Sequence, residues 1–177
     1  ADTFTGAAHY FAALFGVGTL LVLCIFLNLH AGPWASTAGG TALMLHPRFW
    51  GDLHYNVKDL SSCLLFLLLA VLFHAALRRR SWRLLLGVAV LWGVALATKA
   101  NALFLPVVGG LCFAYEAWCR RRAGQPATTA REVAALAAFP VLGPAVMLLC
   151  WPYLWLDFPA HLVGYAKYVA GWGVTGS

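Results

Sequence analysis

Long apolar runs, separated by short segments that hold most of the charge, constrain the fold of this chain more than any other feature. Tyr10 to Leu29 and Ser62 to Leu77 contain no Asp, Glu, Lys or Arg. A helix that crosses the hydrocarbon core of a bilayer, roughly 30 Å thick, needs about 20 such residues. Charged residues make up 10% of the chain, against about 25% in soluble domains. The pattern predicts an all-α protein that crosses a membrane several times.

Shorter apolar runs complete the predicted bundle. A break at Gly32 and Pro33 follows the first long run, and the next run is too short to span unless it is buried in protein or re-entrant. Pro140 and Pro144 predict a kink in the last run. These further runs are Thr37–Leu45, Leu84–Thr98, Asn101–Trp118 and Val133–Trp151. We therefore expect a polytopic transmembrane bundle of about six membrane-crossing or re-entrant helices, with residues 1–177 in one transmembrane domain.

Two arginine-rich segments predict the orientation of the bundle. Residues 78–83 and 119–131 hold every arginine except Arg48. Short basic loops between spans lie on the cytoplasmic side, so we expect both segments there, in a multi-pass protein of the inner cell membrane. Because the net charge of +6 is concentrated in these loops, nucleic acid is not an expected partner, whereas contact with anionic lipid is compatible. The other basic side chains then face outward: Arg48, Lys58, Lys99 and Lys167.

The segment His46–Leu60, HPRFWGDLHYNVKDL, gathers an unusual number of ionisable groups just before an apolar run. We predict it to be an outer loop. The planar guanidinium of Arg48 suits a phosphate or carboxylate, or else it pairs with Asp52. Asp59 suits the first turn of the next helix as a cap. His54 is expected to be a hydrogen-bonded loop residue more readily than a ligand or base.

Two lysines are candidate anion contacts. Lys58 precedes a helix whose dipole does not favour a cation there, so it either pairs with Asp52 or Asp59 or reaches a phosphate. Lys99 lies at the predicted turn of a short hairpin, LATKANALF, and we expect it not to face lipid, because a charged side chain in contact with hydrocarbon is costly. No cysteine pair has CxxC spacing and His46, Asp52 and His54 match no strong metal pattern, so no metal site is predicted.

Four stretches, in order, resemble bacterial membrane glycosyltransferases of family 39, which are related to the dolichyl-phosphate-mannose protein mannosyltransferases. AHYFAALFG resembles their entry into an early span. HPRFWGDLHYNVKDL resembles their PRF…N-x-KD segment, GVALATKANALFLPV their G-x-A-L-x-T-(K/R) hairpin, and WPYLWLDFPAHL their WPYLWPDP stretch. The similarity covers almost the whole chain.

This resemblance implies the polytopic fold of the C superfamily of glycosyltransferases. Such enzymes transfer a sugar from a polyprenyl-phosphate donor to an acceptor on the outer, periplasmic face. It implies that Arg48, Lys58 and Lys99 bind the donor phosphate, with His54 and Asp59 in support. The catalytic Asp or Glu is expected upstream of this chain, a C-terminal part is expected downstream, and a divalent metal is left open.

Two alternatives remain open. Broken helices and charges at a cavity also suit a fragment of a transporter or permease. A non-catalytic membrane scaffold would tolerate neutralisation of the three basic residues. The sequence predicts neither the sugar nor the acceptor.

Overall fold

The computed structural model describes residues 2–126 and 128–171, of which residues 2–8, 54, 55, 154, 169 and 170 are described by their backbone alone. Every regular element in these residues is helical, as the apolar runs predict. The chain divides into two compact units, Ala1–Leu84 and Leu85–Ser177, called unit 1 and unit 2 below.

Unit 1 contains four helices joined by very short connections. They are α1 (Asp2–Ala31), α2 (Pro33–Leu45), α3 (Pro47–Tyr55) and α4 (Val57–Arg79). The predicted break is confirmed at Gly32, whose φ of 86° lies in a region that glycine adopts without steric cost. Pro33 then begins α2, because a proline at the first helical position lacks only an N–H that would be unpaired there. The second helix therefore begins four residues before the predicted start at Thr37.

The charged segment predicted to be a loop is instead a helix, α3, followed directly by the first turn of α4. Pro47 occupies its first turn. Phe49 and Leu53, four residues apart, share one face and both contact the surface of α1 beside Gly16. Phe49 is buried with Ala12 and Leu60 in the core of this part of the unit. The prediction failed because nine residues are too few for a clear helical period in a strongly polar segment.

The contacts of α1 define the arrangement of unit 1. Leu64 approaches Gly18 and the ring of His74 meets that of His30, so α1 and α4 run parallel. The hydroxyl of Ser36 donates to the carbonyl of Cys24 (2.9 Å), which ties α2 back against α1 in the antiparallel sense. The C-terminal ends of α1 and α4 therefore lie at one end of the unit, and α3 lies at the other.

Unit 2 contains most of α5 and four further α-helices in the described residues. They are α5 (Trp82–Thr98), α6 (Leu105–Arg122), α7 (Ala130–Ala137), α8 (Phe139–Cys150) and α9 (Phe158–Gly171), with short 3-10 helices at Ala100–Phe104 and Pro152–Leu154. The predicted kink is present as a 43° bend between α7 and α8. It lies at Ala138, two residues before Pro140. Pro140 has no N–H to donate to the carbonyl four residues earlier, and its ring clashes with that carbonyl, so the helix bends in the turn before it.

Glycines allow α5 and α8 to approach closely. A β-carbon on Gly93 would lie 2.5 Å from the carbonyl oxygen of Gly143, and one on Gly143 would lie 2.1 Å from the ring of Trp92. The buried Trp92 donates its indole N–H to the carbonyl of Ala102 (2.7 Å). Small residues at such a crossing are typical of helix packing in membranes.

Among the residues that the structure describes, three segments are long and apolar enough to cross a membrane: His9–Ala31, Val57–Arg79 and Ala100–Arg122. The bent pair α7 and α8 makes a fourth if it forms one span. These helices agree with a membrane protein. The helices α2 and α5, with 13 and 17 residues, are shorter.

Candidate functional site

Unit 1 has a charged group of residues at each end. Lys58 and Arg78 lie in the first and last turns of α4, roughly 30 Å apart at about 1.5 Å per residue. That separation matches the roughly 30 Å thickness of a bilayer core. The two ends are called the lysine end, with Arg48, Lys58 and Asp59, and the arginine end, with Arg78 and Arg79.

At the lysine end, Arg48 reaches Asp52 one turn later on α3. Arg48 Nε lies 3.8 Å from Asp52 Oδ2, and the Arg48 side chain is 78% exposed. This contact is the pairing with Asp52, which is one of the two alternatives that the sequence left open for Arg48. At such exposure the pair holds the guanidinium only weakly.

The first turn of α4 is held by Asn56 rather than by Asp59. Asn56 Oδ1 accepts from the backbone N–H of Asp59 (3.2 Å), and Asn56 Nδ2 donates to Asp59 Oδ2 (2.8 Å). The sequence predicted Asp59 as the cap of α4. This prediction is wrong, because the N-cap is Asn56. Asp59 lies in the first turn, where its carboxylate is favoured by the unpaired N–H groups and the helix dipole.

Lys58 lies beside this cap with an exposed side chain. Its carbonyl accepts from the hydroxyls of Ser61 and Ser62 (3.0 and 2.7 Å), which fixes the backbone while leaving the ammonium group toward solvent. His54 belongs to α3, but its side chain lies outside the described part of the chain. The structure thus brings Arg48, Lys58 and Asp59 to one end of unit 1 on two consecutive helices.

Lys99 belongs to unit 2. It lies between α5 and the 3-10 helix Ala100–Phe104, as the hairpin pattern predicts, with extended backbone (φ −153°, ψ 130°). Its N–H donates to the carbonyl of Ala95 (2.9 Å) and its carbonyl accepts from the N–H of Ala102 (3.1 Å). The half-buried side chain therefore projects from a turn whose backbone is held on both sides.

The arginine end contains two imidazoles that the sequence did not single out as a pair. His30 donates from Nδ1 to the carbonyl of Phe26 (2.9 Å), and its ring meets that of His74 edge to face at 5.0 Å. His74 Nε2 is buried and has no hydrogen-bond partner among the described residues. The sequence signal for this pair was His74, a histidine inside an apolar run without Asp, Glu, Lys or Arg. No sequence signal indicated its partner, because His30 on α1 is 44 residues away.

Arg120 is not an exposed loop residue, although the second arginine-rich segment, residues 119–131, was predicted to be a loop. Its side chain is buried, with Nε donating to Glu116 Oε1 (3.0 Å) and Nη1 lying 3.6 Å from Glu132 Oε1. It therefore joins α6 to α7, whereas Arg121 and Arg122 are exposed as expected of loop charges. Glu132 also closes a capping box with Thr129 at the start of α7.

The stretch after α8 forms an aromatic cluster. The ring of Tyr153 stacks on that of His161 at 4.3 Å, and Trp151 meets Tyr165 edge to face at 4.7 Å. Burial raises the pKa of Tyr165, with a smaller contribution from nearby Tyr168. Exposed aromatic rings, such as that of Tyr153, are typical of the interface between a membrane and water.

The described residues hold five free cysteines and no group of three or more His, Cys, Asp or Glu side chains able to hold a metal ion. Comparison with known proteins found no family model, no curated protein and no solved structure that matches this chain.

Proposed function

We propose that this chain is part of a membrane glycosyltransferase that takes a sugar from a polyprenyl-phosphate donor and passes it to an acceptor on the outer face. The observation that carries the proposal is the lysine end of unit 1, where Arg48 and Lys58 present exposed cations about one bilayer thickness from the arginine end. The type of reaction is proposed from the resemblance of four sequence stretches, which occur in the same order, to family 39.

The chemistry of such a transfer requires cations at the membrane surface. The departing polyprenyl phosphate gains negative charge as the bond to the sugar breaks, and fixed positive groups stabilise that charge in the transition state. In the proposal Arg48 and Lys58 bind phosphate oxygens, Asp59 orders the helix start beside them, and His54 is an acceptor-side residue. Lys99, in unit 2, is proposed as a donor contact from the sequence resemblance alone. No catalytic base is assigned to this chain.

The proposed topology has six crossings with the arginine-rich segments in the cytoplasm of a bacterial cell. It requires α2 and α5 to cross as short helices of roughly 20 and 26 Å. The lysine end then faces outward, and donor binding explains why Arg48 and Lys58 lie where the positive-inside tendency disfavours them.

The test is donor turnover in membranes that contain the protein, with a panel of radiolabelled polyprenyl-phosphate sugars. Lys58→Ala and Arg48→Ala are expected to lower transfer by at least about tenfold each, since a charge-assisted contact contributes roughly 1.5–3 kcal/mol. Lys167→Ala is the control, because it also removes one exposed lysine ammonium group and has no role in the proposal. Expression of each variant is measured alongside.

The alternatives make different predictions in the same assay. A scaffold would keep full transfer by its partner after either substitution. A transporter would bind or move substrate while transferring no sugar from any donor in the panel. Equal loss in Lys167→Ala would show that surface charge in general, and not the lysine end, controls activity.

A further inference from the structure

A groove opens between α1 and α4 at the arginine end of unit 1. Its volume is about 340 Å³, at the lower end of the roughly 300–1,000 Å³ typical of small-molecule pockets. Most of its wall is apolar and is formed by residues of the two parallel spans. The apolar lining residues are Val22, Ile25, Phe26, Leu29, Val71 and Ala75.

Four basic side chains line the same groove. They are His30, His74, Arg78 and Arg79, and none of the described residues that line the groove is acidic. Both helices end here, so their dipoles favour these cations and do not favour an anion. Any anion must therefore be held by the side chains themselves. The two guanidinium groups supply planar donors suited to phosphate oxygens.

The side chain of His74 is a further polar group in the lining of the groove. Its Nε2 is buried and has no hydrogen-bond partner among the described residues, although a buried polar atom without a partner is costly. The ring is held between Phe26 and His30 by edge-to-face contacts at 5.7 and 5.0 Å. A ligand oxygen in the groove would accept from this nitrogen, and remove the cost, after a rotation of the ring that exposes Nε2 to the groove.

We infer that the groove binds one anionic phospholipid, with the phosphate at the arginine end and part of an acyl chain along the apolar wall. A free phosphate would use the cations and leave the apolar wall unused. The wall belongs to two helices long and apolar enough to span a bilayer, and Arg78 lies where lipid phosphates lie if Lys58 marks the opposite surface. This site is separate from the proposed donor site, which is at the other end of unit 1.

Native mass spectrometry of the delipidated protein in detergent tests this inference. The probes are phosphatidylglycerol and phosphatidylcholine of equal chain length, added in parallel titrations. Phosphatidylglycerol should bind at least about tenfold more tightly. Arg78→Gln with Arg79→Gln should weaken it about 30-fold, or roughly 2 kcal/mol, because each basic residue near the surface contributes about 1 kcal/mol.

The control removes the same two charges elsewhere. Arg121→Gln with Arg122→Gln neutralises two exposed arginines in the last turn of α6 and should leave binding within about twofold. His74→Phe should weaken binding while His74→Gln, which keeps a donor, should restore most of it; thermal melting in the same detergent reports whether each variant is folded.

Three results would overturn the inference. Equal affinity for the two lipids would remove the role of the anionic head group. Equal loss in the Arg121 and Arg122 variant would indicate attraction by net charge alone. Full displacement of the lipid by millimolar inorganic phosphate would assign the cations to free phosphate and leave the apolar wall without a function.

Discussion

The buried arginine that joins α6 to α7 allows the sharpest stability prediction. Arg120 and Glu132 are 7% and 2% exposed. Replacing Glu132 with alanine leaves the guanidinium buried with Glu116, which is 37% exposed. Breaking a buried pair by removing one partner costs about 3–5 kcal/mol, and the low end applies because Glu116 still neutralises part of the charge.

The same substitution also removes a cap. Glu132 Oε2 accepts from the backbone N–H and the hydroxyl of Thr129 (2.7 and 2.8 Å). Loss of capping hydrogen bonds costs about 1 kcal/mol. Together these changes predict that Glu132→Ala lowers the free energy of unfolding by about 3–4 kcal/mol, which corresponds to a fall in Tm of roughly 6–16 °C for a chain of this size.

Thermal unfolding in one detergent, followed by tryptophan fluorescence, measures the effect. Glu116→Gln should cost less than about 1 kcal/mol, because it breaks a partly solvated pair and leaves Arg120 with Glu132. Thr129→Ala should cost only the cap, about 1 kcal/mol. A Glu132→Ala variant no less stable than Glu116→Gln would refute the view that Arg120 is a structural link between α6 and α7.

Two further predictions concern helix packing and capping. Gly143→Ala should lower the free energy of unfolding by about 1–3 kcal/mol, because the new methyl group overlaps the ring of Trp92; Gly110→Ala, with open space at the same atom, should be neutral or stabilising in the same melting assay. Asn56→Ala should cost about 0.5–2 kcal/mol by removing the side chain that accepts from the N–H of Asp59, and no change in hydrogen exchange at the first turn of α4 would contradict it.

The features that depend on local sequence were predictable. The apolar runs predicted where the long helices lie. Gly32 and Pro33 predicted the first break, because each of these residues restricts or frees the backbone at its own position. Pro140 located the bend of the last run within two residues. Lys99 was expected between two helices and lies there.

The features that depend on distant partners were not predictable. Arg120 was grouped with its exposed neighbours because its partner Glu132 lies across a connection whose path the sequence does not reveal. The helical state of α3 depends on the contact of Phe49 and Leu53 with α1, which outweighs its polar composition. The pairing of His74 with His30 requires α1 and α4 to be parallel, and hydropathy says nothing about which spans are neighbours.

Both proposals require that the two ends of unit 1 lie on opposite faces of the membrane, and the proposed function also requires the lysine end to be outside. Single cysteines at Gly51, where a β-carbon meets nothing within 4 Å, and at exposed Ala31 test this in a background lacking the five native cysteines. An impermeant maleimide applied to intact cells should label the cysteine at position 51 and spare that at position 31 until lysis. Labelling of position 31 alone would place the lysine end in the cytoplasm and contradict the assignment of Arg48 and Lys58 to an outward-facing donor site.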